Sequence, residues 1–441
     1  MAKRVDVIIA GGGIAGSVAA ATLSRLGLDI LLLEPGMHAD RRLGGELLHP
    51  LGVAGLAELD LLSRVEAQGG VAIDGFHIWD AGSGGDVTLT YGDAEGRPAL
   101  ALDHAKLRDA LLKGALCRPG VSLCRGRLVA LENGDARVRV RVAAESGEHA
   151  IECHLLIGAD GAQSRVRELA GIAARRHLIS SICTVTVPDS TLTEARHGQL
   201  FIGGGSAALA YRYGVGLGRV MFDHAGPVSR RDDVACLVPR LLPSPLAAAI
   251  EQVLRQERPR RINTFLVIVS KPRRGRVVLI GDAAGTCHPL TASGMSACVA
   301  DALSLGSTLA RAGGDIDTAL DRHMATRNQA QLCRLALASA MHEVMTSPAP
   351  EFAHIRAGMM RYWQTERGRS RAVALLSMRE SRPHRLFGAM LAAACHSLVG
   401  CADNGGRLRL VPELVHLLLR YGLGLFGGPR LLPGPLCDGR F

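Results

Sequence analysis

The sequence of 441 residues predicts an α/β fold in three parts: a parallel-sheet domain, a β-rich insertion within it, and a C-terminal helical region. Three observations lead there. Near the N-terminus an apolar run, a glycine turn, a helical stretch and a second apolar run follow within about 30 residues, which is the pattern of a βαβ unit. From 176 to 270 the texture changes to short alternating segments and clustered glycines. Beyond residue 320 helical spacing prevails.

Val5 to Ala10 is a continuous apolar run ended by Gly11-Gly12-Gly13, as expected of a strand buried on both faces. Ile14 to Gly27 predicts a helix, small on one face, and Asp29 to Glu34 a second buried strand. A loop and a short helix over Pro50 to Leu62 follow. Alternation in Gly75 to Asp80 and Asp86 to Tyr91 predicts antiparallel strands. Leu107, Leu111, Leu112 and Leu116 place a helix over Ala101 to Leu116. Val121 to Leu131 and Ala136 to Ala143 alternate like hairpin strands, and Ile151 to Ala159 is another buried strand that closes on Asp160-Gly161. The insertion carries one expected helix, Pro239 to Gln256. Val277 to Ile280 restores the buried-strand texture, and Ser293 to Ala312 reads as a long helix.

These elements assign residues 1–70, 101–175 and 272–320 to the parallel-sheet domain, 71–100 and 176–271 to a β-rich substrate domain, and 321–441 to the helical region. Leu386 to Ala402 carries no formal charge, and Leu410 to Phe426 is rich in leucine. Both are too short to span a bilayer, which needs about 20 apolar residues. They fit buried helices or contact with a membrane surface.

Net charge is +10, with 51 basic against 41 acidic residues. Only Lys3, Lys106, Lys113 and Lys271 are lysines, and the arginines are spread along the whole chain. Nucleic-acid binders cluster basic residues and interleave stacking aromatics, so no nucleic-acid partner is expected. The eleven cysteines form no CxxC pair and no zinc-ligand set, and no metal is expected. Met1-Ala-Lys-Arg runs straight into a strand, so no signal peptide is expected. Reduced thiols in a cytoplasmic protein, peripheral at most on the inner membrane face, follow.

Gly11-x-Gly13-x-x-Gly16 follows a strand, opens a helix, and precedes an acid, Glu34, at the end of the next strand. Gly11 permits the tight turn, Gly13 lets backbone approach a pyrophosphate, and Gly16 lets helix and strand pack closely. The helix N-terminus faces the phosphates, and Glu34 accepts hydrogen bonds from an unphosphorylated ribose, as in FAD or NAD. Gly281-Asp282 ends a later strand and precedes His288-Pro289-Leu290-Thr-Ala-Ser-Gly294-Met295 and a helix. A carboxylate there suits ribityl hydroxyls, and the helix start suits an anionic reduced flavin. An ordinary capped helix start is the plainer alternative.

Gly158-Ala-Asp160-Gly161-Ala-Gln-Ser164-Arg165-Val-Arg167 completes a set of three signatures. Together they resemble the flavoprotein aromatic hydroxylase superfamily, and the resemblance implies a Rossmann-like FAD-binding domain. Within it the likeness is to squalene epoxidase and its bacterial relatives. His288-Pro-Leu-Thr-Ala-Ser-Gly-Met295 resembles that family's His-Pro-Leu-Thr-Gly-Gly-Gly-Met, and Arg42-Leu-Gly-Gly45-Glu46-Leu-Leu-His49-Pro50 its Arg-x-x-Gly-Glu-Leu-Leu-Gln-Pro. His104-Ala-Lys106-Leu107 stands where the family has His-Gly-Arg-Phe. The resemblance implies cofactor contacts from Gly11, Gly13, Ala15, Gly16, Glu34, Pro35, Arg42, Lys106, Leu128, Asp160, Gly281, Asp282, Gly294 and Met295, with His288 and Pro289 as candidates for the flavin face. Lys106 in place of arginine gives up a bidentate phosphate fork.

The activity so implied is insertion of one oxygen atom from O2, through a flavin C4a-hydroperoxide, into an apolar alkene or prenylated aromatic. NADPH or NADH would reduce the flavin directly or through a reductase partner. The cofactor carries the difficult chemistry, so no nucleophile is sought. A flavin-dependent halogenase has a similar Gly-Glu segment but carries a Trp-x-Trp-x-Ile-Pro signature and a reactive lysine, whereas Trp79 and Trp363 are the only tryptophans here and no lysine lies between Lys3 and Lys106. A prenyl-chain reductase and a non-enzymatic flavin-binding scaffold are further readings.

Overall fold

The computed structural model describes residues 3–36, 46–92, 96–225, 231–401 and 404–427. The chain opens with β1 (Lys3–Ala10), α1 (Ile14–Ser24) and β2 (Ile30–Leu33), then two short helices, α2 (Pro50–Glu58) and α3 (Leu62–Glu66). β3 (Gly75–Asp80) and β4 (Gly85–Thr90) form a hairpin before α4 (His104–Leu116). β5 (Val121–Cys124), β6 (Gly126–Asn133), β7 (Val138–Ala144), β8 (Gly147–Gly158) and α5 (Arg165–Leu169) follow. The insertion holds β9 (Arg175–Pro188), β10 (His197–Gly203), β11 (Ser206–Gly214), β12 (Leu217–Ala225), α6 (Arg231–Leu241), α7 (Ser244–Gln256) and β13 (Arg260–Ile268). β14 (Val277–Leu279) and α8 (Gly294–Arg311) complete the first domain. Then come α9 (Ile316–Thr346), α10 (Pro350–Gln364), α11 (Glu366–Leu376), α12 (Pro383–Val399) and α13 (Asn404–Leu417).

The first sheet runs β14-β8-β1-β2-β5 in parallel, with the β6–β7 hairpin attached antiparallel to β8. Its central strands pack Val7, Ile9, Ile30 and Leu32 against α1 and α8, and Val5, Ile8, Leu31 and Leu33 on the opposite side. Burial on both faces is why these strands read as unbroken apolar runs instead of alternating ones. The second sheet, β13-β9-β12-β11-β10-β3-β4, draws β3 and β4 from before α4 and the rest from 175–268. One face packs on α6 and α7, while the other joins the C-terminal helices in a single apolar cluster. The α/β class expected from the sequence is the class observed.

Local departures have local causes. The stretch expected as one helix, Pro239–Gln256, is split, because Pro243 precedes Ser244 and Pro245 occupies the first turn of α7. Ala99–Ala101 is strand, and α4 begins at His104, where the Asp103 carboxylate accepts the N–H groups of Ala105 and Lys106. The strand expected over 121–131 breaks at Arg125: its first half pairs parallel with β2, and its second forms the hairpin with β7. The helix expected over 50–62 divides at Asp60, which has φ +55°. Among the described residues no helix is long and apolar enough to cross a membrane.

Candidate cofactor site

The turn between β1 and α1 is built by its glycines. A Cβ on Gly11 (φ +105°) would lie 2.5 Å from the Ala159 carbonyl oxygen, and one on Gly16 would lie 1.8 Å from the Gly11 carbonyl oxygen. A Cβ on Gly13 would meet nothing within 4 Å. Gly13 also caps α1 with no side-chain hydrogen bond, so the first N–H groups, Ala15 among them, open onto that space. Glu34 closes the far side: its Oε2 accepts Gly12 N–H at 2.8 Å and its Oε1 accepts Gly36 N–H at 3.3 Å. Pro35 beside it is exposed. Leu128 packs into the core under β2, and Lys106 is exposed in the first turn of α4. Arg42 lies outside the described residues.

Gly281 joins the second motif to the first. At φ +57° its Cβ position lies 2.9 Å from both Ala15 Cβ and Cys298 Sγ, which forces the end of β14 against α1 and α8. Its N–H donates to Asp301 (2.9 Å), which in turn pairs with Arg327 (3.0 Å). The Asp282 side chain retains exposed surface, yet the surrounding protein desolvates it and raises its pKa, against the pull of Arg334 and His104. The turn Pro289–Thr291 and a left-handed Ala292 (φ +49°) then deliver the start of α8. Gly294 has nothing within 4 Å of its Cβ position, Met295 is buried, and no side chain caps the helix.

Asp160 and its motif act as a strap. One Asp160 oxygen accepts the N–H groups of Arg165 (2.7 Å) and Val166 (3.0 Å), the other is buried with no partner among the described residues, and Ser164 Oγ accepts Arg167 N–H. The Arg167 guanidinium donates to the carbonyls of Ala162 (2.8 Å) and Ala283 (2.9 Å). Residues 158–167 are thereby tied to the backbone next to Asp282. Two open glycines, two uncapped helix starts and a carboxylate between them suit the phosphates, hydroxyls and ring edge of a flavin dinucleotide.

Glu46 and His49 stand in the Arg42–Pro50 motif, from which neither drew a role. Glu46 is buried, and Arg219 of β12 grips it at 2.7 and 3.0 Å while Tyr211 donates to it at 3.0 Å. Burial opposes the Arg219 charge, but the Glu46 carboxylate outweighs it and raises the pKa. His49 Nε2 reaches the Thr291 carbonyl and Nδ1 the Tyr91 hydroxyl, both at 2.7 Å. Its Nε2 therefore carries the proton, and burial lowers its pKa to about 4 despite the Thr291 carbonyl.

His288 is 1% exposed, while Pro289 and Leu290 beside it are half-buried. His288 Nε2 lies 3.1 Å from Ser180 Oγ and 3.3 Å from Asp223, and His342 approaches the same carboxylate at 3.2 Å. Two histidines and a carboxylate resemble a metal-ligand set. However, His288 Nδ1 accepts Leu290 N–H, which leaves the proton on Nε2 and no lone pair there for an ion. Burial lowers the His288 pKa to about 3, partly offset by Asp223. Sequence spacing gave no signal for any of these pairings.

Further out, α9 to α13 enclose a cavity of ≈ 110 Å³ walled by apolar and aromatic side chains, among them Met341, Met359, Trp363, Leu375 and Leu417. A second, polar cavity of ≈ 280 Å³ lies between Arg219, Thr186 and Arg258.

A family model described as an FAD binding domain matches residues 4–330. Squalene monooxygenase of Mus musculus is 28% identical over 304 residues, covering 67% of this chain and 53% of that protein. The chain thus spans about half the length of that relative. The 6-methylpretetramide 4-monooxygenase of Streptomyces rimosus is 27% identical over 323 residues, covering 68% and 74%. In fold, the chain is similar to Pseudomonas aeruginosa PqsL in complex with 2-aminobenzoylacetate, with a TM-score of 0.68 at 22% identity over 78% of this chain and 98% of that one.

Proposed function

The chain belongs to the FAD-binding-domain family, and on that premise we propose that it is an FAD-dependent monooxygenase acting on an apolar alkene or prenylated aromatic. The observation that carries the reading is the contact of Gly281 with Ala15, which brings two motifs 266 residues apart to a single open cradle. Bound there, FAD would supply oxygen activation, and the chain's own residues would bind, orient and exclude water. The N–H groups after Gly13 would hold the pyrophosphate, Glu34 the ribose and Asp282 the ribityl hydroxyls. The N–H groups of Gly294 and Met295 would face the pyrimidine edge. Arg167 and Asp160 would position the strap instead of touching substrate.

The apolar cavity beyond α9 supports an apolar substrate, because its walls offer a chain almost nothing to hydrogen-bond. Leu391, Val399, Leu408, Val415 and Leu419 are exposed on α12, α13 and the turn beyond. Such an exposed apolar face suits peripheral binding to a membrane surface, from which a lipid-like substrate could enter. NADPH or NADH, used directly or through a reductase, is the proposed electron source.

The test is to screen prenylated aromatics and long-chain alkenes with the FAD-loaded protein for accelerated NAD(P)H and O2 consumption. A product heavier by one oxygen atom is expected. A product that gains a halogen or two hydrogens, or no substrate-stimulated oxygen uptake with any candidate, would overturn the reading.

A further inference from the structure

Among the described residues, the most buried arginines are each paired with an acid. Arg219 meets Glu46 at 2.7 Å, Arg327 meets Asp301 at 3.0 Å, and Arg356 meets Asp80 at 3.6 Å. Arg334 of α9 is different. Its Nε donates to Ser293 Oγ (3.3 Å), Nη2 to Cys287 Sγ (3.2 Å) and Nη1 to Gln331 Oε1 (2.7 Å), all uncharged side chains. Among the described residues no carboxylate comes within ion-pair distance of it. Asp301, which it feels through space, is already committed to Arg327 and to Gly281 N–H.

The location is as unusual as the lack of a partner. Ser293 is the N-cap of α8, so a guanidinium stands beside the positive end of a helix dipole. Burial opposes the Arg334 charge, but the acidic groups around it, Cys287 and Asp301 ahead of Cys298 and Asp282, outweigh that and raise its pKa, so it stays a cation beside that helix end. Arg334 also keeps part of its surface accessible while protein surrounds it, as Asp282 does, and the two sense each other's charge. Its field helps to keep His49 neutral, after burial itself, so the imidazole adds no second cation.

Resting on the reading that FAD occupies this cradle, we infer that Arg334 is the fixed cation of the flavin site. With the first N–H groups of α8 it faces the pyrimidine edge of the isoalloxazine, where negative charge accumulates on reduction. It therefore favours reduced over oxidised flavin, in addition to any effect on binding.

The test uses the full chain reconstituted with FAD, comparing wild type with Arg334→Met and Arg334→Lys. Midpoint potential and FAD affinity are measured without substrate. With one charge-assisted contact to the reduced ring lost, Arg334→Met should weaken binding of reduced relative to oxidised FAD by about tenfold or more. The potential should move negative, and Arg334→Lys should stay near wild type. If Arg334→Met fails to fold, Arg334→Gln against Arg334→Lys gives the same comparison. A Met or Gln variant that binds FAD with an unchanged potential would overturn the inference and leave the cofactor reading standing. A wild-type chain that takes up no FAD overturns both.

Discussion

Gly13→Val separates a cofactor role from a packing role at the first turn. The Cβ position of Gly13 meets nothing within 4 Å, and its backbone (φ −74°, ψ −167°) is one that valine adopts readily. The protein itself should lose only a few tenths of a kcal/mol to about 1 kcal/mol, the scale of an N-cap change. The added side chain would instead fill the space where phosphate oxygens approach the N–H groups of α1. Losing two charge-assisted hydrogen bonds of about 1.5–3 kcal/mol each predicts FAD affinity weaker by a hundredfold to about ten-thousandfold. Fluorescence titration of the apoprotein with FAD measures this, and circular dichroism with a melting curve checks the fold. Gly16→Ala is the contrasting control, because its Cβ falls 1.8 Å from the Gly11 carbonyl oxygen and should disrupt folding itself. Wild-type FAD affinity in folded Gly13→Val would refute the assignment of this turn to the pyrophosphate.

Arg219→Met leaves the Glu46 carboxylate buried without its partner, and urea unfolding should show a loss of about 3–5 kcal/mol; a Glu46→Gln/Arg219→Met double variant should recover much of it, and additive losses would contradict the pairing. The histidines at 49, 288 and 323 have folded pKa values lowered to about 4, about 3 and about 4, chiefly by burial. Below pH 6.5 the unfolded chain therefore binds protons that the folded one does not. Stability should fall with acidification from about pH 6.5 to 4 by about 1.4 kcal/mol per pH unit for each such histidine. A flat pH–stability curve over that window would contradict their burial as neutral rings. Ala340→Phe narrows the apolar cavity and should raise KM for long-chain substrates by about tenfold while sparing short ones; equal effects on both would remove that cavity from the substrate path.

The sequence was legible where a local constraint writes itself into residue type. Gly11 and Gly281 hold positive φ against close neighbours, and apolar runs mark strands buried on both faces, so the two motifs and the central sheet could be read directly. Boundaries were harder to place because caps and prolines act at single positions, as Asp103 and Pro243 do. The long-range polar pairings were not legible. Glu46 finds Arg219 across 173 residues, and Arg334 reaches Ser293 across 41, and no periodicity encodes either contact. Asp160 shows a subtler limit: one of its oxygens accepts the first N–H groups of α5, a role that spacing alone does not distinguish from the cofactor contact expected of it.

The measurement that bears most directly on the whole account is calorimetric titration of the flavin-free, folded chain with FAD, read together with the visible spectrum. The account requires saturable uptake of one FAD per chain and a yellow protein whose flavin band is perturbed from that of free FAD. A well-folded chain that stays colourless and releases no heat on mixing would contradict it.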